Sequence, residues 1–229
     1  MQAHLITPTP DLQQSIDFYT TLGFRVVTTG APTYVTDGQQ LIEINPNRYT
    51  RAGLKVWADD PKAIAEALAP YTHVVATNPG YVLAAPCGTY VYLDDAAVAE
   101  DFDLGEPTTT VLGNYAGLSL ETVDIVRSIE IWKILGFTNQ SGSLEQGWIS
   151  LTNADGLGIS LMQPNTCPHL FFNPSLTYFN SGKNPEVIAK VRELGIPITE
   201  EITVFNKEGK VDNIILRDPG GFGFFVFND

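Results

Sequence analysis

Apolar and polar positions at the start of the chain follow a strand–helix–strand order. Residues 4–8 have the apolar, β-branched character of a strand. Beyond Asp11, four apolar residues recur at helical spacing and share one face: Leu12, Ile16, Tyr19 and Leu22. We expect the Asp11 carboxylate to cap this helix, with Gln14 as its capping-box partner. Gly23 can then end the helix in a left-handed conformation.

The same pattern occurs twice in the chain. Residues 15–24 are echoed 113 positions later by residues 128–137, both beginning with Ser-Ile and ending in Leu-Gly-Phe. The echo extends further, because residues 41–47 resemble residues 159–165. A whole strand–helix–strand phrase repeated at a fixed distance indicates internal duplication.

The remaining periodicity predicts an α+β fold of four βαβββ modules. The predicted helices cover residues 12–22, 61–68, 124–135 and 185–194, and the strands of the last module lie near 198–206, 211–217 and 222–227. The predicted organisation is a first domain at 1–98 (modules about 1–49 and 50–98), an acidic linker at 99–114, and a second domain at 115–229 (modules about 115–168 and 169–229). Acidic residues punctuated by Pro and Gly predict a solvated linker.

Composition and charge narrow the classes of partner. A net charge of −13 disfavours nucleic acid and anionic membrane surfaces as partners. The two cysteines, Cys87 and Cys167, fall one in each half and predict no disulfide framework. We find neither a secretory signal nor an apolar stretch long enough to span a bilayer, so a cytoplasmic location is expected.

Two phrases carry a family resemblance. Ser-Ile-Asp-Phe-Tyr with Leu-Gly-Phe lies near the start, and Arg-Asp-Pro-Gly-Gly-Phe at 217–222 precedes the last strand. Together with the four modules they resemble the vicinal oxygen chelate superfamily, which includes glyoxalase I, extradiol dioxygenases, fosfomycin-resistance enzymes and bleomycin-binding proteins. The glycine-rich phrase precedes a strand rather than a helix, so we interpret it as a tight hairpin turn and not a phosphate loop.

The resemblance implies that the four modules pair into two curved mixed-sheet cups, and it implies where a metal would lie. In the enzymes of this family a divalent metal sits in the cup, held by side chains from the first and last strands of paired modules, whereas other members bind small molecules without metal. The matching positions of the first module are His4 and Glu43. Strand alternation supports a special role for Glu43, because Ile42 and Ile44 point to the opposite face.

His4 and Glu43 are therefore candidate metal ligands, and Glu43 is a candidate catalytic base. Two other interpretations remain open for the pair. It can be a relic of a lost site, or ordinary strand chemistry in which Glu43 is satisfied by His4, Arg48 or Arg51.

The rest of the metal site is missing from the sequence. The matching positions of the other modules carry no usual metal ligand: Gly53 or Leu54, Tyr92, Gly117, Ser160 or Leu161, Leu176, and Phe225. The two remaining histidines, His73 and His169, match no ligand position of the family. Because catalytic sites of this kind normally use three or more protein ligands, we expect no cofactor, with a divalent metal as the alternative.

Aromatic residues replace the missing ligands. Tyr90 and Tyr92, and Phe225 and Phe227, alternate onto the faces where carboxylates would have pointed. We expect these four residues to bind a flat or hydrophobic small molecule. The alternative is that they fill the cup as core.

Three functions follow from these observations. The first is a small-molecule binding protein with a degenerate metal half-site, comparable to the bleomycin-binding branch. The second is a metal-dependent lyase, isomerase or dioxygenase acting on a substrate with vicinal oxygens, and the third is a structural or regulatory module with filled cups. Duplication supplies four modules in one chain, so a monomer or weak homodimer is expected.

Overall fold

The computed structural model describes residues 1–108 and 110–228. The elements of the first half are β1 (Gln2–Pro8), α1 (Leu12–Thr21), β2 (Arg25–Thr28), β3 (Thr33–Thr36), β4 (Leu41–Asn45), β5 (Gly53–Ala58), α2 (Pro61–Leu68), β6 (Val74–Ala76), β7 (Tyr81–Ala84) and β8 (Tyr90–Asp95). Those of the second half are β9 (Asn114–Glu121), α3 (Ile125–Ile134), β10 (Thr138–Ser143), β11 (Trp148–Thr152), β12 (Gly158–Met162), β13 (Ser175–Phe179), α4 (Asn184–Glu193), β14 (Ile198–Ile202), β15 (Asn213–Arg217) and β16 (Gly223–Phe227). No described helix combines the length and hydrophobicity of a membrane span.

The repeated phrase folds in the same way in both copies. A buried hydroxyl pair links the end of the first strand to the following helix, with Thr9 Oγ1 2.7 Å from Ser15 Oγ. Its counterpart joins Thr122 Oγ1 to Ser128 Oγ at the same 2.7 Å. Duplication is therefore visible in the packing as well as in the sequence.

Helix α1 begins and ends at the predicted residues, but its cap differs in one detail. The Asp11 carboxylate accepts a hydrogen bond from the backbone N–H of Gln14 at 3.0 Å, and Gly23 follows the helix with a φ of 96°. The predicted return bond from the Gln14 side chain is wrong, because the backbone N–H of Asp11 donates to Thr9 Oγ1 at 3.1 Å. The preceding threonine already satisfies the group that a capping-box glutamine would reach.

The strands form two eight-stranded mixed sheets, each built from two modules that are adjacent in the chain. Their strand orders are β2-β3-β4-β1-β5-β8-β7-β6 and β10-β11-β12-β9-β13-β16-β15-β14. In each sheet the first strands of the two modules pair antiparallel at the centre, and each is flanked by the parallel last strand of its own module. This arrangement is the predicted α+β fold of four βαβββ modules.

The helices cover one face of each sheet and leave the other concave. Ile42 and Ile44 are buried in the main core, which includes residues of α1, while Glu43 points to the other face as predicted. The prediction that β14 continues to residue 206 is wrong, because Asn206 accepts hydrogen bonds from the backbone N–H groups of Glu208 and Lys210 and turns the chain. We refer to the concave faces of the β1–β8 and β9–β16 sheets as the first cup and the second cup.

The acidic connector between the halves contacts the first half, while its acidic residues Glu100, Asp101, Asp103 and Glu106 are exposed. The ring of Phe102 lies 4.5 Å from that of Tyr34, and Leu112 is fully buried. The backbone N–H of Thr108 donates to the carbonyl of Asp37 at 2.7 Å. Its few apolar residues therefore determine its path more than its acidic ones do.

The last hairpin turn joins the two halves through one buried carboxylate. The predicted turn is present, since the backbone N–H of Asp218 donates to the carbonyl of Phe222 at 3.0 Å. Asp218 Oδ2 accepts from Thr7 Oγ1 at 2.7 Å and from the Tyr19 hydroxyl at 2.9 Å. Its Oδ1 accepts from the N–H groups of Gly221 and Phe222 at 2.6 and 2.7 Å. Burial raises the pKa of Asp218, and these hydrogen bonds partly offset the increase.

Gly220 makes this contact between the halves sterically feasible. A Cβ at this position would lie 1.9 Å from the Pro8 carbonyl oxygen and 2.2 Å from Thr7 Oγ1. Only glycine permits so close an approach of the two backbones.

We expect Asp218→Ala to lower the free energy of unfolding by about 3 kcal/mol or more, because four donors lose their acceptor, two of them hydroxyls of the other half. Asp218→Asn keeps an acceptor for the two backbone N–H groups and should cost less. Urea unfolding followed by circular dichroism measures both. The matched control is Asp59→Ala at an exposed position, and an equal effect of Asp218→Ala and Asp59→Ala would contradict the assignment.

Candidate functional site

The structure brings His4 and Glu43 together in the first cup. His4 lies on β1 and Glu43 on β4, the parallel neighbour of β1. His4 Nε2 is 3.1 Å from Glu43 Oε2, and the two residues are 5% and 1% exposed. Both lie on the concave face, as the alternation of β4 predicted.

Three further side chains surround the Glu43 carboxylate. The Tyr34 hydroxyl donates to Oε2 at 3.2 Å, Asn45 Nδ2 donates to Oε1 at 2.6 Å, and the Lys55 ammonium lies 3.9 Å from Oε2. Burial alone would raise the pKa of Glu43, but the hydrogen bond from His4 and the charge of Lys55 outweigh it and lower the pKa below its ordinary value. The expectation that Arg48 or Arg51 might satisfy this carboxylate is wrong.

Lys55 lies at the centre of the first cup, and the sequence analysis did not single it out. It lies directly opposite His4 in the antiparallel β1–β5 pair. Its ammonium is 3.4 Å from Asp94 Oδ2 and lies over the ring of Trp57, 4.6 Å from the centroid. Trp57 Nε1 in turn approaches His4 Nδ1 at 3.5 Å. The polar groups of this face are therefore bound mainly to one another.

A small cavity of about 180 Å³ remains at the edge of the first cup, beside His4 and Trp57. The connector residue Phe102 forms part of its wall. Tyr90 and Tyr92, expected to bind a ligand, face this cup across the sheet but do not line that cavity. The Tyr92 hydroxyl instead accepts from the backbone N–H of Arg51 at 2.7 Å.

The second cup holds a cavity of about 230 Å³ with a different chemistry. Its walls are aromatic and are formed by Trp148, Phe171, Phe179, Phe225 and Phe227. Small residues at its floor leave the space open, and they include Gly117, Ser119, Ser160 and Thr177. None of the residues that line this cavity is charged.

The polar groups of the second cup are weak and few. Ser119 Oγ and Thr177 Oγ1 lie 2.7 Å apart and bond to each other. The Cys167 thiol is half-buried, with Sγ 4.0 Å from Met162 Sδ, and burial raises its pKa. Nothing here resembles an activated nucleophile.

Aromatic packing stabilises the outer wall of the second cup. His169, for which no role was predicted, lies 5.3 Å from the ring of Phe225 and 5.4 Å from that of Phe227. Phe225 is only 1% exposed and packs with Ile202 and Ile215. Phe225 is therefore part of the core, as the alternative interpretation of the sequence proposed for the four aromatic residues. The cavity beside it stays open.

The four predicted aromatic residues thus divide between the two sheets, and only two of them share a sheet with the predicted half-site. His4, Glu43, Tyr90 and Tyr92 belong to the first cup, and the phenylalanines to the second. Lys55 could have been found by the alternation that singled out Glu43, because it is a charged residue flanked by the apolar residues Leu54 and Val56 on a strand. Trp148 and Phe171 carried no comparable signal.

Comparison with known proteins finds no matching family model and no matching curated protein. Solved structures do match over almost the whole chain. The 2,3-dioxygenase LapB from Pseudomonas sp. KL28 superposes with a TM-score of 0.56 at 14% identity, covering 99% of this chain and 91% of that one. The Mn(II)-bound glyoxalase from Novosphingobium aromaticivorans gives 0.58 at 15% identity, covering 98% and 80%. The 2,2',3-trihydroxybiphenyl 1,2-dioxygenase from Sphingomonas wittichii gives 0.54 at 17%, covering 99% and 89%.

The chain has the glyoxalase/dioxygenase-like fold. At these identities the likeness concerns the fold alone, since one fold hosts many functions. It nevertheless raises the question of a divalent metal, because the glyoxalase among these structures is Mn(II)-bound.

The donor set of the first cup does not fit a divalent metal. Within residues 1–108 and 110–228, no three His, Cys, Asp or Glu side chains are grouped so that they could hold one. His4 and Glu43 supply two donors, and the residue facing His4 on the central neighbouring strand is Lys55. An ammonium at this position repels a second cation and supplies no lone pair. Lys55 instead supplies the positive charge that balances the Glu43 carboxylate.

The lowered pKa of Glu43 predicts a pH-dependent contribution to stability. Folding favours the ionised form, so the contribution is present above the ordinary value of 4.5 and is lost as the pH falls below it. We expect Glu43→Gln to cost about 2 kcal/mol near neutral pH, with the gap to the wild type narrowing as the medium is acidified. Denaturant titrations at a series of pH values measure this gap. Glu66→Gln, at an exposed position, should show none, and a gap independent of pH would contradict the ion-pair assignment.

Replacing Lys55 by a residue that can coordinate a metal ion should create a metal site in the first cup. In Lys55→His a third donor faces His4 and Glu43, so we expect Zn²⁺ to stabilise this variant by about 2.7 kcal/mol at one hundred times its dissociation constant. Thermal unfolding with and without Zn²⁺ measures the shift. Lys55→Gln removes the charge without adding a strong donor and should respond weakly. Equal stabilisation of the wild type would show that the native residues already suffice.

Proposed function

We propose that this protein binds a small, flat, uncharged molecule in the second cup, and that it does so without a metal. The observation that carries the proposal is the cavity of about 230 Å³ walled by five aromatic rings and lined by no charged residue. Desolvating an ion in such a cavity is costly, whereas an apolar ring gains from burial.

The dimensions favour a molecule of one substituted ring. An apolar cavity of about 150 Å³ can hold benzene, so the second cup has room for a ring with one or two small substituents. Offset or edge-to-face contacts with Phe225 and Phe227 would fix the plane of the ring. The hydroxyls of Ser119, Ser160 and Thr177 can donate or accept a hydrogen bond with one polar substituent.

The cavity belongs to a single chain. Its walls come from β9, β11, β12, β13 and β16 and from the segment between β12 and β13. The proposal therefore requires no second copy, which agrees with the expectation that duplication supplies within one chain what simpler relatives assemble from two.

A metal-dependent lyase, isomerase or dioxygenase is the second candidate. It is favoured by the fold shared with structures described as dioxygenases and a glyoxalase, and by the buried His4–Glu43 pair. The position of Lys55 argues against it, and the Zn²⁺ titration of the wild type against Lys55→His separates the two.

Ligand binding in the second cup should protect Cys167 from alkylation. We expect p-cresol to slow the reaction of Cys167 with iodoacetamide, while benzoate, which carries a charge, has little effect. Cys87 is buried and serves as an internal control for unfolding. Mass spectrometry of the alkylated peptide measures the rate.

Two variants test whether p-cresol protects Cys167 by binding in the second cup. Phe227→Ala should weaken protection by p-cresol about tenfold through loss of a ring contact and buried area. Tyr90→Ala removes an aromatic residue of the first cup and should leave the protection unchanged. Equal protection by benzoate, or an equal loss in Tyr90→Ala, would contradict binding in the second cup.

A further inference from the structure

A third cavity lies where the two halves meet, outside both cups. It has a volume of about 480 Å³ and is formed by residues 8–10, 46–48 and 50–51 of the first half and 219–220 of the second. Four of its lining residues are prolines, which give it stiff apolar walls. We call it the junction groove.

The junction groove is cationic in a strongly acidic chain. Arg48 and Arg51 line it, and none of its lining residues is acidic, although the chain as a whole carries a net charge of −13. Arg51 Nη1 donates to the carbonyls of Arg48 at 3.1 Å and Thr50 at 2.8 Å, which holds its guanidinium in place. Among the described residues, the Arg48 guanidinium has neither an ion-pair nor a hydrogen-bond partner.

A side-chain hydroxyl that solvent can reach adds a potential hydrogen-bond donor to the groove. Thr50 lines the groove and is only 7% exposed. Its backbone N–H donates to the carbonyl of Asn47 at 3.0 Å, but its hydroxyl has no hydrogen-bond partner among the described residues. The other threonine of the groove, Thr9, shows the usual situation, with its hydroxyl bonded to the Asp11 carbonyl and to Ser15.

We propose that the junction groove binds the phosphate group of a small organic phosphate monoester. Guanidinium forks match phosphate oxygens, and two of them balance the double negative charge of a monoester. The Thr50 hydroxyl supplies a further donor. A phosphate group alone is much smaller than the groove, so the organic part of the molecule packs on the prolines. The glycine-rich turn contributes a wall through Pro219 and Gly220 and not a phosphate-binding loop.

Calorimetric titration with phenyl phosphate tests the proposal. At low ionic strength we expect saturable binding of one phenyl phosphate per chain, weaker binding of inorganic phosphate, which lacks the ring, and no binding of benzyl alcohol at this site. Added salt should weaken the interaction because the groove is open to solvent.

Variants assign the binding to named residues. Arg48→Ala and Arg51→Ala should each weaken phenyl phosphate binding at least about tenfold, and Thr50→Val, which keeps the shape of the side chain, should weaken it severalfold. Arg127→Ala is the matched control, since Arg127 is exposed and pairs with Asp124 on α3. Phe227→Ala, in the second cup, should leave the affinity for phenyl phosphate unchanged. Failure of phosphate binding in the junction groove can therefore be distinguished from failure of ligand binding in the second cup.

Three results would overturn the proposal. They are the absence of saturable binding, an equal loss in Arg127→Ala, and a loss in Phe227→Ala without one in the arginine variants. Because Arg48 and Arg51 are exposed, their replacement should leave the thermal unfolding temperature nearly unchanged, which keeps a loss of affinity interpretable.

Discussion

A buried carboxylate needs a compensating charge, and this constraint shapes the first cup. Glu43 is 1% exposed, and an ionised carboxylate in such surroundings is costly unless it is paired and hydrogen-bonded. His4, Tyr34, Asn45 and Lys55 meet this need together. Once they do, the polar groups of the concave face are directed at one another rather than at a ligand. The charge of the first cup is therefore balanced by its own side chains.

Duplication allows the second cup to differ. The two sheets repeat the same strand order, but where the first has a carboxylate–ammonium pair, the second has phenylalanines, small residues and a cavity without charge. Asp218 ties the two sheets together through Thr7 and Tyr19, so one stable body carries both. Its turn also forms one wall of the junction groove, which places the cationic surface at the seam between the halves.

Much of the fold could be predicted from the sequence because its determinants are local. Periodicity, capping aspartates and the repeated phrase define the four modules, and alternation alone directs Glu43 away from Ile42 and Ile44. The main errors concern long-range contacts. Lys55 faces His4 because of the antiparallel register between two modules, whereas alignment to the repeat indicated Gly53 or Leu54. The contacts of the connector with the first half, such as that of Phe102 with the ring of Tyr34, could not be anticipated from its acidic composition.

The central claim is that the two cups have diverged, the first held by internal ion pairs and the second open to an apolar ring. Crystals soaked with 4-bromotoluene, with bromine located by anomalous scattering, test it most directly. The account predicts one bromine peak in the second cup, beside Phe227 and Trp148, and none near His4. A peak between His4 and Glu43, or an empty second cup at saturating concentration, would contradict it.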